Sequence, residues 1–300
     1  MPKVNDEYPN KHKQEQISDA DLKRMAVQQF EKNPIKGANV EEGYKFPTEI
    51  VDLPSKGLLY PKENPLSSGK VEMKYMTANE EDIMTTPSLI KQGVVLDRLF
   101  QALIVGNGEG QKIKYGDLLA GDKNAIMIAA RVLGYGKDYE IAVKTPSGEE
   151  IKETIDLSKI DNKPLNEKEI TPGQNKFSLK LPVSKREIVF KILSHRDEAA
   201  IERDLKQQRK YNKMKGSNST VTTRLSHMIL SVDGNDNQEF IKNFVNNEFL
   251  ARDVQSMREK ITQVSPDVDL ELTFIDDETG EDFEAMLPIG LDFFWPSASV

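Results

Sequence analysis

Residues 53–83 read Leu53-Pro54-Ser55-Lys56-Gly57-Leu58-Leu59-Tyr60-Pro61, then Pro65-Leu66-Ser67-Ser68-Gly69, then Lys70 to Tyr75, then Met76-Thr77-Ala78-Asn79-Glu80-Glu81-Asp82-Ile83. Proline fixes φ and glycine permits positive φ, so Pro54, Gly57 and Pro61 predict an extended, turning segment. Val71, Met73 and Tyr75 alternate with Lys70, Glu72 and Lys74, the period of a half-buried strand. Thr77 stands three residues before Glu80, a capping-box spacing that opens a helix. An apolar segment that enters a strand and then at once a helix predicts a mixed α+β unit. None of these residues is an evident catalyst.

On the N-terminal side, residues 1–47 form a polar arm. Ser18 and Asp21 cap a short helix with Leu22, Met25, Ala26 and Phe30 on one face, stopped at Asn33-Pro34. So short a helix needs tertiary contacts, either on its own domain or on a partner that orders it. On the C-terminal side, Leu96, Leu99, Phe100, Leu103 and Ile104 predict a core-facing helix. Gly106-Asn107-Gly108-Glu109-Gly110 lacks the Lys-Ser/Thr of a phosphate loop and follows a helix, so it reads as a cap and turn. Asp122 is the predicted cap of an almost wholly apolar helix from Ala125 to Leu133, in which Arg131 is paired or snorkelling. Gly134-Tyr135-Gly136 ends it. Tyr139, Ile141 and Val143 pair with Ile151, Ile155 and Leu157 in a hairpin around Pro146-Ser147-Gly148. Residues 161–174, with Pro164, Pro172 and Gly173, read as a linker.

The second half opens with strands carrying Phe177, Leu179 and Leu181, then Ile188, Phe190 and Ile192. Ser194 and Asp197 cap a helix running towards Met214, supported by Glu202 four residues before Lys206. Beyond Arg203 this helix turns basic, through Lys206, Arg209, Lys210, Lys213 and Lys215. The charges are either a solvated face that complements the helix dipole or a dock for an acidic neighbour. Asp233, Asn235 and Asn237 occupy the first calcium-ligand positions of an EF-hand, but Gln238 and Phe244 replace its Gly and Glu, so a turn with a helix cap is expected. Phe240, Ile241, Phe244 and Val245 mark one helix; Leu250, Val254, Met257 and Ile261 mark the next. Leu270, Leu272 and Phe274 return as Phe283, Ala285 and Leu287 in a third hairpin. Phe293-Phe294-Trp295-Pro296 is either a plug on the core or a contact anchor. The predicted fold is α+β: two small mixed domains, 48–165 and 166–300, with β-hairpins packed on helices, preceded by the arm.

The 300 residues carry a formal charge of -8 and no cysteine. Disulfides, thiolate metal sites and cysteine nucleophiles are thereby excluded. An acidic chain is a poor general nucleic-acid binder, since phosphate contacts need clustered Lys and Arg. No apolar run has membrane-span length and no signal-peptide core opens the chain, so a soluble protein made in a cytoplasm is expected. His12, His195 and His227 have no ligand spacing, and the carboxylate clusters fall at helix starts and hairpin tips, where solvation explains them. The residues therefore predict no catalytic site, no metal, no cofactor and no small-molecule substrate.

The segments 53–61 and 75–83, Gly121-Asp122-Lys123-Asn124-Ala125, Arg131 with Gly134-Tyr135-Gly136, Phe244-Val245, Ala251-Arg252-Asp253, Pro266-Asp267-Val268-Asp269 and the Phe293-Phe294-Trp295-Pro296 ending resemble, in this order, the baseplate-hub assembly proteins of T-even-like contractile-tailed bacteriophages. The resemblance covers residues 48–300. It implies a non-enzymatic hub subunit or assembly factor, with other phage tail or baseplate proteins as partners. Its place would be the virion tail baseplate, or the host cytoplasm during assembly. A chaperone for a tape-measure or tube protein, absent from the particle, is the alternative; an unrecognised enzyme is the third reading. Some relatives carry cysteine pairs at hairpin tips, as zinc ribbons do. Here the tips read Thr145-Pro146-Ser147-Gly148 and Asp277-Glu278-Thr279-Gly280, so these hairpins are expected to hold by packing alone. The candidate contact residues are Leu58, Leu59 and Tyr60, then Arg209, Lys210 and Lys213, then Phe293, Phe294 and Trp295.

Overall fold

The computed structural model describes residues 46–211, 219–276, 278–290 and 292–294. The expected helix of the arm lies outside them. The first sheet is antiparallel, with strands β1 (Thr48–Asp52), β2 (Lys70–Lys74) and β3 (Ile104–Gly106) in that spatial order. Val71 and Met73 are fully buried, as their alternation predicts, while Tyr75 lies past the strand end and is exposed. The next helix, α1 (Ala78–Thr85), begins where the capping box places it. The buried Glu80 carboxylate accepts the Thr77 N–H (3.0 Å), the Thr77 hydroxyl (2.6 Å) and Lys74 Nζ (2.8 Å), and so ties strand to helix. Helices α2 (Pro87–Gln92) and α3 (Val95–Leu103) follow. Ile104 does not extend α3 as its spacing predicts. It pairs with Met73 in β3, because a sheet partner satisfies its backbone and its β-branched side chain better than one more turn.

The central helix is α4 (Ala120–Tyr135). It starts earlier than predicted, with Leu119 at the cap, so Asp122 sits inside its first turn and reaches out of the helix. The hairpin of β4 (Asp138–Lys144) and β5 (Glu150–Asp156) has Tyr139 opposite Ile155. Residues 161–174 are pinned on both sides. The Gly173 N–H donates to Leu58 O (2.8 Å), Lys163 N–H to Asp267 O (2.9 Å) and Asp269 N–H to Asp161 O (2.8 Å).

The second sheet joins the two predicted strands, β6 (Phe177–Lys180) and β7 (Glu187–Phe190), to a third, β8 (Ile229–Val232). Around it stand α5 (His195–Tyr211), α6 (Thr220–Met228), α7 (Gln238–Asn247) and α8 (Ala251–Val264). Ser194 and Asp197 form the predicted cap of α5, with Ser194 N–H and Oγ both donating to Asp197 Oδ2. Asn237 Oδ1 caps α7 by accepting the N–H groups of Glu239 and Phe240, and Asp233 accepts the Glu187 N–H, so the would-be calcium positions serve the turn. Leu250 is exposed at the N-cap of α8 and not part of the helix core. The last hairpin joins β9 (Glu271–Ile275) to β10 (Asp282–Met286). From Phe46 onward the chain is one compact unit, and buried side chains of both halves form one connected core. His195 N–H, for example, donates to Leu118 O (2.8 Å).

Four carboxyls of this frame share an electrostatic signature. Burial pushes Glu80, Asp97, Asp197 and Asp253 up, but the hydrogen bonds they accept outweigh it and hold each below its usual range. Asp253 accepts the N–H groups of Val183 (2.8 Å) and Ser184 (3.0 Å) and so fastens the β6–β7 turn to α8. A depressed folded value means that stability is present above the unfolded carboxyl range of about 4 and is lost as pH falls from there through the lower folded value. These carboxyls are therefore expected to lower the melting midpoint as pH falls below about 4. A midpoint that stays level to pH 3 in a thermal-melt series would contradict this.

Candidate interaction surface

The 53–61 segment turns inward. Lys56 and Gly57 both take positive φ (51° and 76°), which coils the backbone against residues 67–69. Leu59 and Tyr60 are buried, Leu58 is half-buried, and Lys56 is exposed. The Tyr60 hydroxyl donates to Asp122 Oδ2 (2.5 Å) and accepts the Leu119 N–H (3.0 Å), while Asp122 Oδ1 accepts the Ser55 N–H (2.9 Å). Burial raises the Asp122 carboxyl, and the bonds from Tyr60 and Ser55 only partly offset it. This buried knot, whose bonds span 59, 62 and 67 positions, locks the loop onto the start of α4. It leaves little of Leu59 or Tyr60 for a partner.

Phe293 and Phe294 also point inward. Phe293 and Phe294 are fully buried. Phe294 lies against Phe100 (ring centroids 5.8 Å apart) and Phe293 against Tyr139 (4.9 Å). Arg131 Nε donates to Phe293 O (3.0 Å) and its Nη1 to Gly136 O (3.2 Å), with the guanidinium over Tyr135 and Tyr139. This arginine, inside α4, is thus a clamp on Phe293, using carbonyls and rings in place of a carboxylate. Trp295 and Lys213 lie outside the described residues. Arg209 and Lys210 are exposed near the end of α5, and Lys206 pairs with Glu202 (3.3 Å).

One cluster has the residue types of an active site. Asp97 accepts the Tyr115 hydroxyl (2.7 Å) and Lys123 Nζ (3.0 Å), and Lys123 Nζ lies 3.2 Å from His195 Nδ1. Asp97, Lys123 and His195 border a pocket of about 500 Å³ whose walls include Ile90, Leu96, Phe100 and Met127. An ammonium only donates, so His195 Nδ1 accepts and the ring is neutral; burial and then the Lys123 charge lower its pKa. Burial, then Asp97, raises Tyr115. Each group faces another in the cluster, so the set braces α3, α4 and α5 and presents no free nucleophile beside a base. Among the described residues no group of three or more His, Cys, Asp or Glu side chains is placed to hold a metal, and no helix is long and apolar enough to cross a membrane.

The family model of the T4 bacteriophage base plate protein matches residues 50–295. The chain belongs to this base plate protein family. No curated protein and no solved structure matches it.

In this base plate protein the two hairpin tips meet. Ser147 N–H donates to Asp276 Oδ2 (3.3 Å), Glu278 N–H donates to Asp276 Oδ1 (3.0 Å), and the Thr145 and Ser147 hydroxyls share a hydrogen bond (2.7 Å). The tips are therefore joined by hydrogen bonds centred on the buried Asp276, not by packing alone. Nothing in either tip sequence signals the other, since the contact spans 129 positions. The base plate protein leaves two apolar grooves flanking Glu198, the one just described and one of about 480 Å³ between α6 and α8, where Val221 is exposed. A third groove, of mixed polar and apolar lining, runs along β1. Sequence reasoning identified none of the three, because each is assembled from segments far apart in the chain.

Proposed function

We propose that this chain is a subunit or assembly factor of the baseplate hub and that it works through protein–protein contacts, without catalysis. The observation that carries the reading is the family match over 50–295, in a chain whose catalytic-type residues are bonded to one another. Its partners are other phage tail proteins and its place is the tail of the particle. Of the residues singled out as contacts, Leu58, Arg209 and Lys210 keep surface for a partner, and Lys213 and Trp295 belong to the same proposal. The exposed cations of α5 suit an acidic neighbour, and such rim charges act more on association rate than on affinity. Quantitative proteomics of purified particles is the test. A retained subunit appears at a fixed small copy number per tail. Absence from particles, with tails failing to form when the gene is deleted, would replace the subunit by a chaperone that leaves.

A further inference from the structure

We infer that the open edge of β1 receives an extended segment of another tail protein, which adds a strand to the first sheet and drops alternate apolar side chains onto α4. The inference rests on the contact-based reading above and names one of its surfaces. β1 is an outer strand, paired only with β2. The Tyr75 N–H donates to Pro47 O (3.3 Å) and the Leu53 N–H to Gly69 O (2.8 Å), so the odd-numbered residues of β1 bond to β2. The N–H and C=O groups of Thr48, Ile50 and Asp52 therefore point to the open side. No backbone partner meets them there among the described residues.

Alongside this edge runs a groove of about 540 Å³. Its lining joins the apolar side chains of Ala129, Val132 and Leu133 of α4, with Leu157, Ile160 and Val268, to the polar ones of Tyr75, Ser158 and Asn162. An unpaired edge is a ready template for another strand, and natural proteins usually blunt or cover one. Here an exposed edge and a partly apolar trough lie side by side, which is the geometry of strand addition: main-chain bonds bind, and pockets select every second side chain. The lining includes the carboxylates of Glu49 and Asp52 and no lysine or arginine. The occupant is accordingly a segment of about five residues or more, at ~3.4 Å each, with apolar residues at alternate positions and lysine or arginine between them. A second copy fits worse. Pairing β1 with itself about Ile50 would set the other copy's Glu49 beside Val51, its carboxylate over the apolar part of the lining without a cation.

The probe is a synthetic nine-residue peptide of alternating lysine and valine, with a glutamate–valine peptide as control, followed by amide hydrogen exchange on the full chain. The lysine peptide is expected to slow exchange at Thr48, Ile50 and Asp52, and the glutamate peptide to bind at least tenfold more weakly. Ile50→Pro removes an outward N–H and leaves the β1–β2 bonds in place; Ala129→Phe fills the trough without touching the strand. Each should weaken the lysine peptide about tenfold, with circular dichroism and melting unchanged. No slowing at these amides, or equal binding by both variants, overturns the proposal. So does protection already present in the monomeric chain, which means its own residues cover the edge, or protection that grows with concentration, which means a second copy does. Complementation in phage separates the two readings. If gene deletion blocks tails and Ile50→Pro restores them fully, the edge proposal fails and the assembly role stands. If deletion leaves tails intact, the assembly role itself fails.

Discussion

Replacing Gly121 by alanine is expected to destabilise the protein by on the order of 4 kcal/mol, among the larger effects of a single methyl group. A Cβ at this position would lie 1.8 Å from Pro266 O and 2.8 Å from Asp267 Cα, both backbone atoms that no rotamer change can move. The first turn of α4 would have to withdraw from the 265–269 segment. With it would go the Asn124 Nδ2 bond to Asp267 Oδ1 (2.9 Å). Overpacking alone costs about 1–3 kcal/mol, and the lost hydrogen bonds add about 1 kcal/mol each. In a chain of this size that lowers the melting midpoint by roughly 10 °C. Gly93, where an added Cβ meets nothing within 4 Å, provides a contrast. Its φ of +71° still charges alanine about 1 kcal/mol, and no more. Urea melts of the two variants decide the matter, and equal midpoints would show that α4 yields without cost.

Removing the Asp122 carboxylate is the second large perturbation. In Asp122→Ala the Ser55 N–H and the Tyr60 hydroxyl are left without their acceptor in the interior. Each unpaired buried donor costs about 1–3 kcal/mol. Relief from burying a carboxylate returns part of that, so a net loss of about 3 kcal/mol is expected. Tyr60→Phe should be milder, about 1–2 kcal/mol, since it removes the donor together with the hydroxyl that accepts from Leu119. The double variant should cost clearly less than the sum of the two, because they break one shared bond. Additive losses in denaturant titrations would mean that Asp122 and Tyr60 act separately and that the knot does not exist.

Much of the secondary structure was legible in local patterns. The alternation of Val71 and Met73, the Thr77–Glu80 and Ser194–Asp197 caps, and the Asn237 turn all rest on interactions within a few residues, so their spacing carries them. Where local reading failed, a distant partner outweighed it. Ile104 fits helical spacing yet pairs with Met73 across the sheet. Asp122 has the chemistry of a helix cap yet bonds to a loop more than sixty residues earlier. Four of the contact candidates turned inward for a related reason. Aromatic and aliphatic side chains suit an interface and a core equally well, and only packing distinguishes them. Leu59, Tyr60, Phe293 and Phe294 went to the core, while the open edge of β1 drew no attention, since main-chain groups without a partner leave no mark on side-chain pattern.

The amino-acid order alone determined the mixed α+β class, the absence of thiol chemistry and the starts of α1, α5 and α7, because these depend on residue type and on neighbours one to four positions away. It also carried the resemblance to baseplate proteins. Tertiary structure decided that Arg131 clamps Phe293, that Asp276 joins two hairpin tips, and that a strand edge lies open beside a partly apolar trough. Those features arise where segments separated by tens to hundreds of residues meet, and burial and hydrogen-bond pairing exist only once they have met.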